Sequence, residues 1–257
     1  MRRGLGPDDV CVRWLETGKI APADWPRLEA MLDDAERERA RRCHFERDRQ
    51  TYIAAHALVR ATLSRFADRA PAEWRFTHNG YGKPEAVRLA QEPDLRVNLS
   101  HTRGLAAVAV TLGRDIGIDV EWMERRNLTR ELGLSIFAGP ECEAVARCRE
   151  EDLCDTLFAF WTLKEAYIKA VGKGLAIPLD AFAFTLDPLR IDFFEPLVDD
   201  PADWFFQRHR PTAEHALALA IRHPGSRLDV AMEQASVGDL LAAAGQPPSG
   251  PGRISRR

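Results

Sequence analysis

Two acidic residues two positions apart offer the first chemistry in this sequence. In the run GIDVE, Asp119 and Glu121 would project from one face of a strand, with Ile118 and Val120 on the other. Paired carboxylates suit Mg²⁺, a hard cation that combines one or two protein oxygens with water and substrate phosphate. The same spacing also describes a polar strand face turned to solvent, and spacing alone favours that plainer reading because exposed acids are common. Further on, FAFWTLKEAYIKAVGKG has a helical period that puts Trp161, Glu165 and Ile168/Lys169 on one side. Glu165 and Lys169 lie one turn apart. They are either a surface ion pair or a carboxylate and an ammonium facing a cleft, and periodicity leaves both open.

Other reactive residues are constrained by their neighbours. Ser100 and His101 are adjacent, so on a strand they face opposite ways, and no GxSxG elbow accompanies them. A Ser/His hydrolase is therefore not expected. Lys83 follows Gly82 in a loop that is not a Walker motif. Lys164 lies about 100° round the helix from Glu165 and reads as a solvated or structural lysine. The five cysteines contain no CxxC pair, and Cys142, Cys148 and Cys154 do not share a helix face, so no zinc site is expected.

These residues need elements to hold them. DVCVRWLET reads as an opening strand, and the stretch from Asp24 to Phe66 as helical. FTHNGYGKP (Phe76–Pro84) is a glycine-rich loop. Val97–His101 and Leu105–Leu112 flank a short turn and read as a hairpin. A strand over Ile116–Glu121 follows. Helices are expected over Glu141–Arg149 and Asp152–Val171, the second ending at Gly172. Strand-like runs near Ala181–Leu186, Ile191–Phe194, Trp204–Arg208 and Ala216–Ile221 complete a second half that repeats the plan of the first. From about Gln234 the composition turns to Ala, Gly, Pro and Ser, which reads as a mobile tail.

The 257 residues are 45% hydrophobic and 29% charged, the composition of an ordinary globular protein. A net charge of −3 gives no signal for nucleic acid or membrane binding. No run is long and apolar enough for a membrane span, and no secretory leader is apparent. With an odd number of cysteines, the expectation is a cytoplasmic protein with reduced thiols.

GIDVE (Gly117–Glu121) followed by WTLKEAYIKAVGKGL (Trp161–Leu175) resembles the signature motifs G-I-D-x-E and W-x-x-K-E-A/S-x-x-K of Sfp-type 4′-phosphopantetheinyl transferases. YGKP (Tyr81–Pro84), NLSH (Asn98–His101) and FERD (Phe45–Asp48), the last opening a helix that ends in LVR (Leu58–Arg60), resemble three further blocks. The resemblance implies an α+β, pseudo-dimeric single chain of two similar lobes with the active site between them. The boundaries expected are residues 1–113 and 114–232, with 233–257 as the tail.

The resemblance also implies an activity: transfer of the 4′-phosphopantetheine arm of coenzyme A to a carrier-protein serine, releasing 3′,5′-ADP. Asp119, Glu121 and Glu165 are then expected to hold Mg²⁺, or Mn²⁺ in its place, with Glu165 and Lys169 catalytic. Glu165 would act directly or through a metal-bound water; a carboxylate bound to the metal is a poor base, so its two roles conflict unless a water relays the proton. Arg47, Lys83, Ser100, His101 and Lys169 are expected to contact coenzyme A, with Asn98 and His78 as further candidates from the same blocks. A second basic contact of the family falls here on Gln50-Thr51, leaving Arg37, Arg39, Arg41 or Arg42 as substitutes. The implied partner is an apo-acyl carrier protein or a carrier domain of polyketide or nonribosomal peptide synthesis, met by a monomer. Trp122, Met123, Arg125, Arg126 and Arg130 are candidates for the docking surface. A non-catalytic coenzyme A- or carrier-binding protein of the same fold is the alternative, and the presence of all three acids with Lys169 argues against it.

Overall fold

The computed structural model describes residues 4–124, 128–225 and 227–245. Its first half runs through strand β1 (Asp9–Glu16), helices α1 (Trp25–Glu29), α2 (Asp34–Arg41) and α3 (Glu46–Leu63), the small hairpin β2 (Phe76–His78) and β3 (Pro84–Ala86), and strands β4 (Leu95–Thr102) and β5 (Leu105–Leu112). The second half runs through β6 (Ile116–Trp122), α4 (Arg130–Ile136), α5 (Gly139–Arg147), α6 (Glu150–Val171), the hairpin β7 (Phe182–Leu186) and β8 (Leu189–Phe193), and strands β9 (Trp204–Thr212) and β10 (His215–Arg222). β11 (Asp229–Gln234) and α7 (Val237–Gly245) follow.

The halves repeat one plan. One sheet has the order β11-β1-β5-β4 and the other β6-β10-β9, so without β11 the two orders correspond strand for strand. Buried cations repeat as well. Arg60 of α3 is fully buried and donates to Glu36 of α2, while Lys164 of α6 is fully buried against Glu141 of α5. Glu36 and Glu141 each sit at the third position of their helix and reach back to the N-cap backbone, so each both closes a helix start and neutralises a buried charge.

The expected helical stretch from Asp24 to Phe66 is broken into α1, α2 and α3. The side chain of Asp33 accepts the Glu36 amide and starts α2, and Phe45 takes an extended conformation before α3. Such capping is a local hydrogen-bond choice that apolar periodicity does not register. α6 has Glu150, Glu151 and Asp152 in its first turn and Lys169 in its last, matching the helix dipole, and Gly172 ends it at φ +74°.

α3 packs through Ala54, Ala57, Leu58 and Ala61 against its own sheet, and α6 through Leu163, Ala166, Tyr167 and Ala170 against the other. The inner sheet faces meet in a shared core that includes Val12, Leu105, Ala107, Ile118, Val120 and Leu219. Chain residues beyond 228 return to the first sheet: β11 pairs in parallel with β1, and Leu240 of α7 is buried in the first helical core. The part of the expected tail from 233 to 245 is therefore ordered strand and helix. Its Ala-rich composition conceals a capped start, where Ser236 Oγ accepts the Asp239 amide. Residues 246–257 lie outside the described residues. Among the described residues, no helix is long and apolar enough to cross a membrane.

Candidate active site

The lobes join where β4 meets β6. One edge of β6 pairs with β10. Along β4 a row of polar side chains serves the amides of β6: Asn98 Oδ1 accepts from Ile118 N (2.9 Å), Ser100 Oγ from Val120 N (3.2 Å) and Thr102 Oγ1 from Trp122 N (3.2 Å). Buried amides need partners, and here side chains of the other lobe supply them in place of a strand.

Gly117 brings α6 onto β6. A Cβ at this position would lie 2.0 Å from Ala166 O and 2.4 Å from Ala170 N, so only glycine allows the approach. Asp119 and Glu121 share the face of Gly117 and therefore meet the Trp161–Lys169 side of α6. Asp119 is 3% exposed. Its Oδ1 accepts from Lys169 Nζ (2.6 Å) and Ser100 Oγ (3.0 Å), and its buried Oδ2 has no hydrogen-bond partner. Lys169 also donates to Ser100 Oγ (3.0 Å). Glu121 accepts from Trp161 Nε1 (3.2 Å) and Thr102 Oγ1 (3.4 Å).

Burial and then the Asp119 charge push Glu121 up to about 7, against the Trp161 hydrogen bond and Lys169. The same two causes raise Glu165, with Lys169 opposing. Three carboxyl groups thus crowd around one ammonium, and one buried oxygen has no partner. Among the described residues, no three His, Cys, Asp or Glu side chains close into a metal cage of their own. The donor set fits Mg²⁺ of the open kind, in which substrate phosphate and water complete the coordination.

A cavity of about 290 Å³ adjoins this cluster and is lined by Tyr81, Gly82, Lys83, Asn98, Glu165 and Lys169, among others. It joins the YGKP loop of one lobe to α6 of the other. Three residues expected to contact coenzyme A make hydrogen bonds within the protein. Ser100 turns into the acidic cluster, Asn98 is bonded to Ile118 N, and Lys83 Nζ donates to Ile116 O (3.1 Å) and Ala170 O (2.9 Å). His101 keeps an exposed edge on the opposite side of β4 from Ser100. Desolvation in the cleft, then His56, Lys169 and Arg39, push its pKa down, with Asp48 opposing. Arg47 is exposed in the first turn of α3 beside Asp48 (3.3 Å), and His78 is exposed on β2.

Of the four substitute arginines, Arg37 bonds Leu32 O and Asp34, while Arg41 and Arg42 turn to Glu38. Arg39 lies over the Tyr52 ring, 5.9 Å from its centroid, on the side of α3 that acts on His101. Trp122 is covered by the Arg103 guanidinium (4.2 Å), and Arg130 pairs with Glu150 (3.2 Å). Arg125 and Arg126 lie outside the described residues. Sequence reasoning missed the parts played by Gly117 and Thr102. Both carry a period-two signal: Gly117 heads the row ending in Glu121, and Thr102 extends the Asn98–Ser100 row.

The family profile described as the 4′-phosphopantetheinyl transferase superfamily matches residues 115–220, and the one described as 4′-phosphopantetheinyl transferase, N-terminal, matches residues 19–112. The 4′-phosphopantetheinyl transferase HetI of Nostoc sp. is 33% identical over 65% of this chain and 72% of its own. The 4′-phosphopantetheinyl transferase Sfp of Bacillus subtilis is 27% identical over 80% of this chain and 89% of its own. The L-aminoadipate-semialdehyde dehydrogenase-phosphopantetheinyl transferase of Homo sapiens is 26% identical over 87% of this chain and 79% of its own.

Proposed function

The chain belongs to the 4′-phosphopantetheinyl transferase superfamily, and on that premise we propose how its lobe junction carries the reaction. The enzyme is a 4′-phosphopantetheinyl transferase: it uses coenzyme A to modify carrier proteins. The observation that carries the site assignment is the buried, unpartnered Asp119 Oδ2 beside two carboxyl groups with raised pKa values. Asp119, Glu121 and Glu165 would hold Mg²⁺, or Mn²⁺ in its place. When bound, the ion supplies a Lewis acid and neutralises pyrophosphate charge.

The chain's own groups do the rest. Lys169, held by Asp119 and Ser100, places a positive charge next to the cavity where the phosphates of coenzyme A would lie. Glu165 is the base for the carrier serine, acting through a water where it also holds the metal, and burial and the Asp119 charge raise its proton affinity. His101, Arg39 and Arg47 are assigned to the nucleotide end, with Arg39 taking the place of the basic contact missing at Thr51. His78 is a further candidate there. Trp122, Met123 and Arg130 belong to the carrier-docking side. The carrier is an acyl carrier protein or a synthase carrier domain. The reading takes the enzyme as a cytoplasmic monomer, and no disulfide forms among the described residues.

Mass measurement of an apo-carrier incubated with the enzyme and coenzyme A, with and without Mg²⁺, tests the reading. The expected result is a phosphopantetheine mass gain that requires Mg²⁺ and vanishes in Asp119→Ala. Transfer by a folded Asp119→Ala enzyme would remove Asp119 from the metal site.

A further inference from the structure

Three signature blocks of this chain meet at one ammonium group. Lys83, from the loop between β2 and β3 of the first lobe, reaches into the second. Its Nζ donates to Ile116 O, at the start of the strand that carries Asp119 and Glu121 (3.1 Å). It also donates to Ala170 O, next to Lys169 in the last turn of α6 (2.9 Å). That carbonyl is one of the helix-terminal acceptors left without an intrahelical partner. The loop makes a second tie, with Asn79 Nδ2 donating to Gly172 O (3.0 Å). Asn79 Oδ1 accepts from the amides of Tyr81 and Lys83 and so holds the loop that aims the lysine. Gly172 leaves room for this: a Cβ there would lie 2.9 Å from Lys83 Cδ and 3.1 Å from Asn79 Nδ2.

We infer that Lys83 is a positioning residue, a latch from the first lobe that sets β6 and α6 against each other and thereby fixes the spacing of Asp119 and Glu121 from Glu165 and Lys169. The inference rests on the transferase reading of that cluster. It differs from a phosphate contact for Lys83, because both hydrogen bonds of the ammonium go to backbone carbonyls. A charge that only attracted coenzyme A would act on binding. A latch acts on the alignment of groups in the transition state, so its loss lowers kcat.

Lys83→Met keeps the length of the side chain and removes the donors. The expected result is a kcat lowered about tenfold to a hundredfold, the scale of a misplacement of about 1 Å, with KM for coenzyme A changed less than about twofold. In the free enzyme, amide hydrogen exchange should quicken over residues 116–119 and 168–172 while β1 and β5 keep their protection. A raised KM with kcat retained, or unchanged exchange in those two segments, overturns the inference. Exchange is read without turnover, so it decides the latch even if the wild-type enzyme modifies no carrier, a result that would count only against the transferase reading. If Lys83→Met does not fold, Lys83→Gln, neutral but still a donor, is read by the same two measurements.

Discussion

Ser100 shows how much one hydroxyl can connect. It donates to Asp119, accepts from Lys169 and accepts the Val120 amide, so it touches the acid, the cation and the second lobe. Its neighbour His101 invites a nucleophilic reading, yet the two side chains lie on opposite sides of β4. Ser100→Ala should therefore retain transfer, with kcat lowered about tenfold or more, since hydrogen bonds to charged groups contribute about 1.5–3 kcal/mol each. Steady-state kinetics beside Asp119→Ala, which should show no transfer, checks this; an inactive but folded Ser100→Ala would instead give the hydroxyl a direct chemical role. The shared face of Asp119 and Glu121 was legible because alternation in a strand is a local property. The meeting of Ser100 with Asp119 was not, because contact across two lobes leaves no period in the chain.

At the scale of elements, the site depends on how closely α6 lies on β6. Gly117→Ala would press a methyl group into the Ala166 carbonyl. Over-packing of this kind costs about 1–3 kcal/mol, and here the backbone on both sides has little room to yield. Urea unfolding should show a loss of at least that size, and whatever folds should transfer poorly because α6 carries Glu165 and Lys169.

The far side of the same helix is anchored by Lys164, which donates to Leu179 O and Phe182 O (both 2.6 Å) and pairs with Glu141 (2.8 Å). Glu141 also accepts the Ala138 and Phe184 amides, so the pair ties α5, α6 and β7 together. Lys164→Met leaves a buried carboxylate without its counter-charge and should cost about 3–5 kcal/mol in denaturant unfolding. Its lysine neighbour in the motif, Lys169, should show the opposite pattern on Lys169→Met: small loss of stability, large loss of kcat. The sequence marked Lys164 as solvated or structural, and burial decides for structural.

Across the whole molecule, a duplicated frame carries one acidic site. Arg13 faces Val108 in the first sheet as Asp119 faces Ala218 in the second, so an arginine occupies the position of the acid. It pairs with Glu233 of β11 (2.8 Å), which Arg65 also contacts, and with Asp239 of α7 (3.7 Å). The C-terminal strand and helix thus close the twin of the active cleft. The lobe junction has a pH signature of its own. Burial lowers Lys83 from 10.5 to about 8. Between those values the unfolded chain binds a proton that the folded protein has released, so this group makes stability rise as pH increases through that window. Lys83→Met should remove that component: the difference between its urea midpoint and that of the wild type should change between pH 7.5 and 9.5. A constant difference would mean that Lys83 titrates normally.

The sequence by itself determined the α+β class, the repeated plan, the long helix ending at Gly172 and the shared face of Asp119 and Glu121. Each follows from short-range rules of period, capping and composition. The tertiary structure decided which polar residues meet: Ser100 with Asp119, Lys83 with two carbonyls, Arg13 with the returning C-terminal segment. It also decided that residues 233–245 take up strand and helix, because Ala235 and Leu240 are buried in the core of the first lobe. These outcomes depend on distances between segments far apart in the chain, and such distances exist only once both lobes have packed.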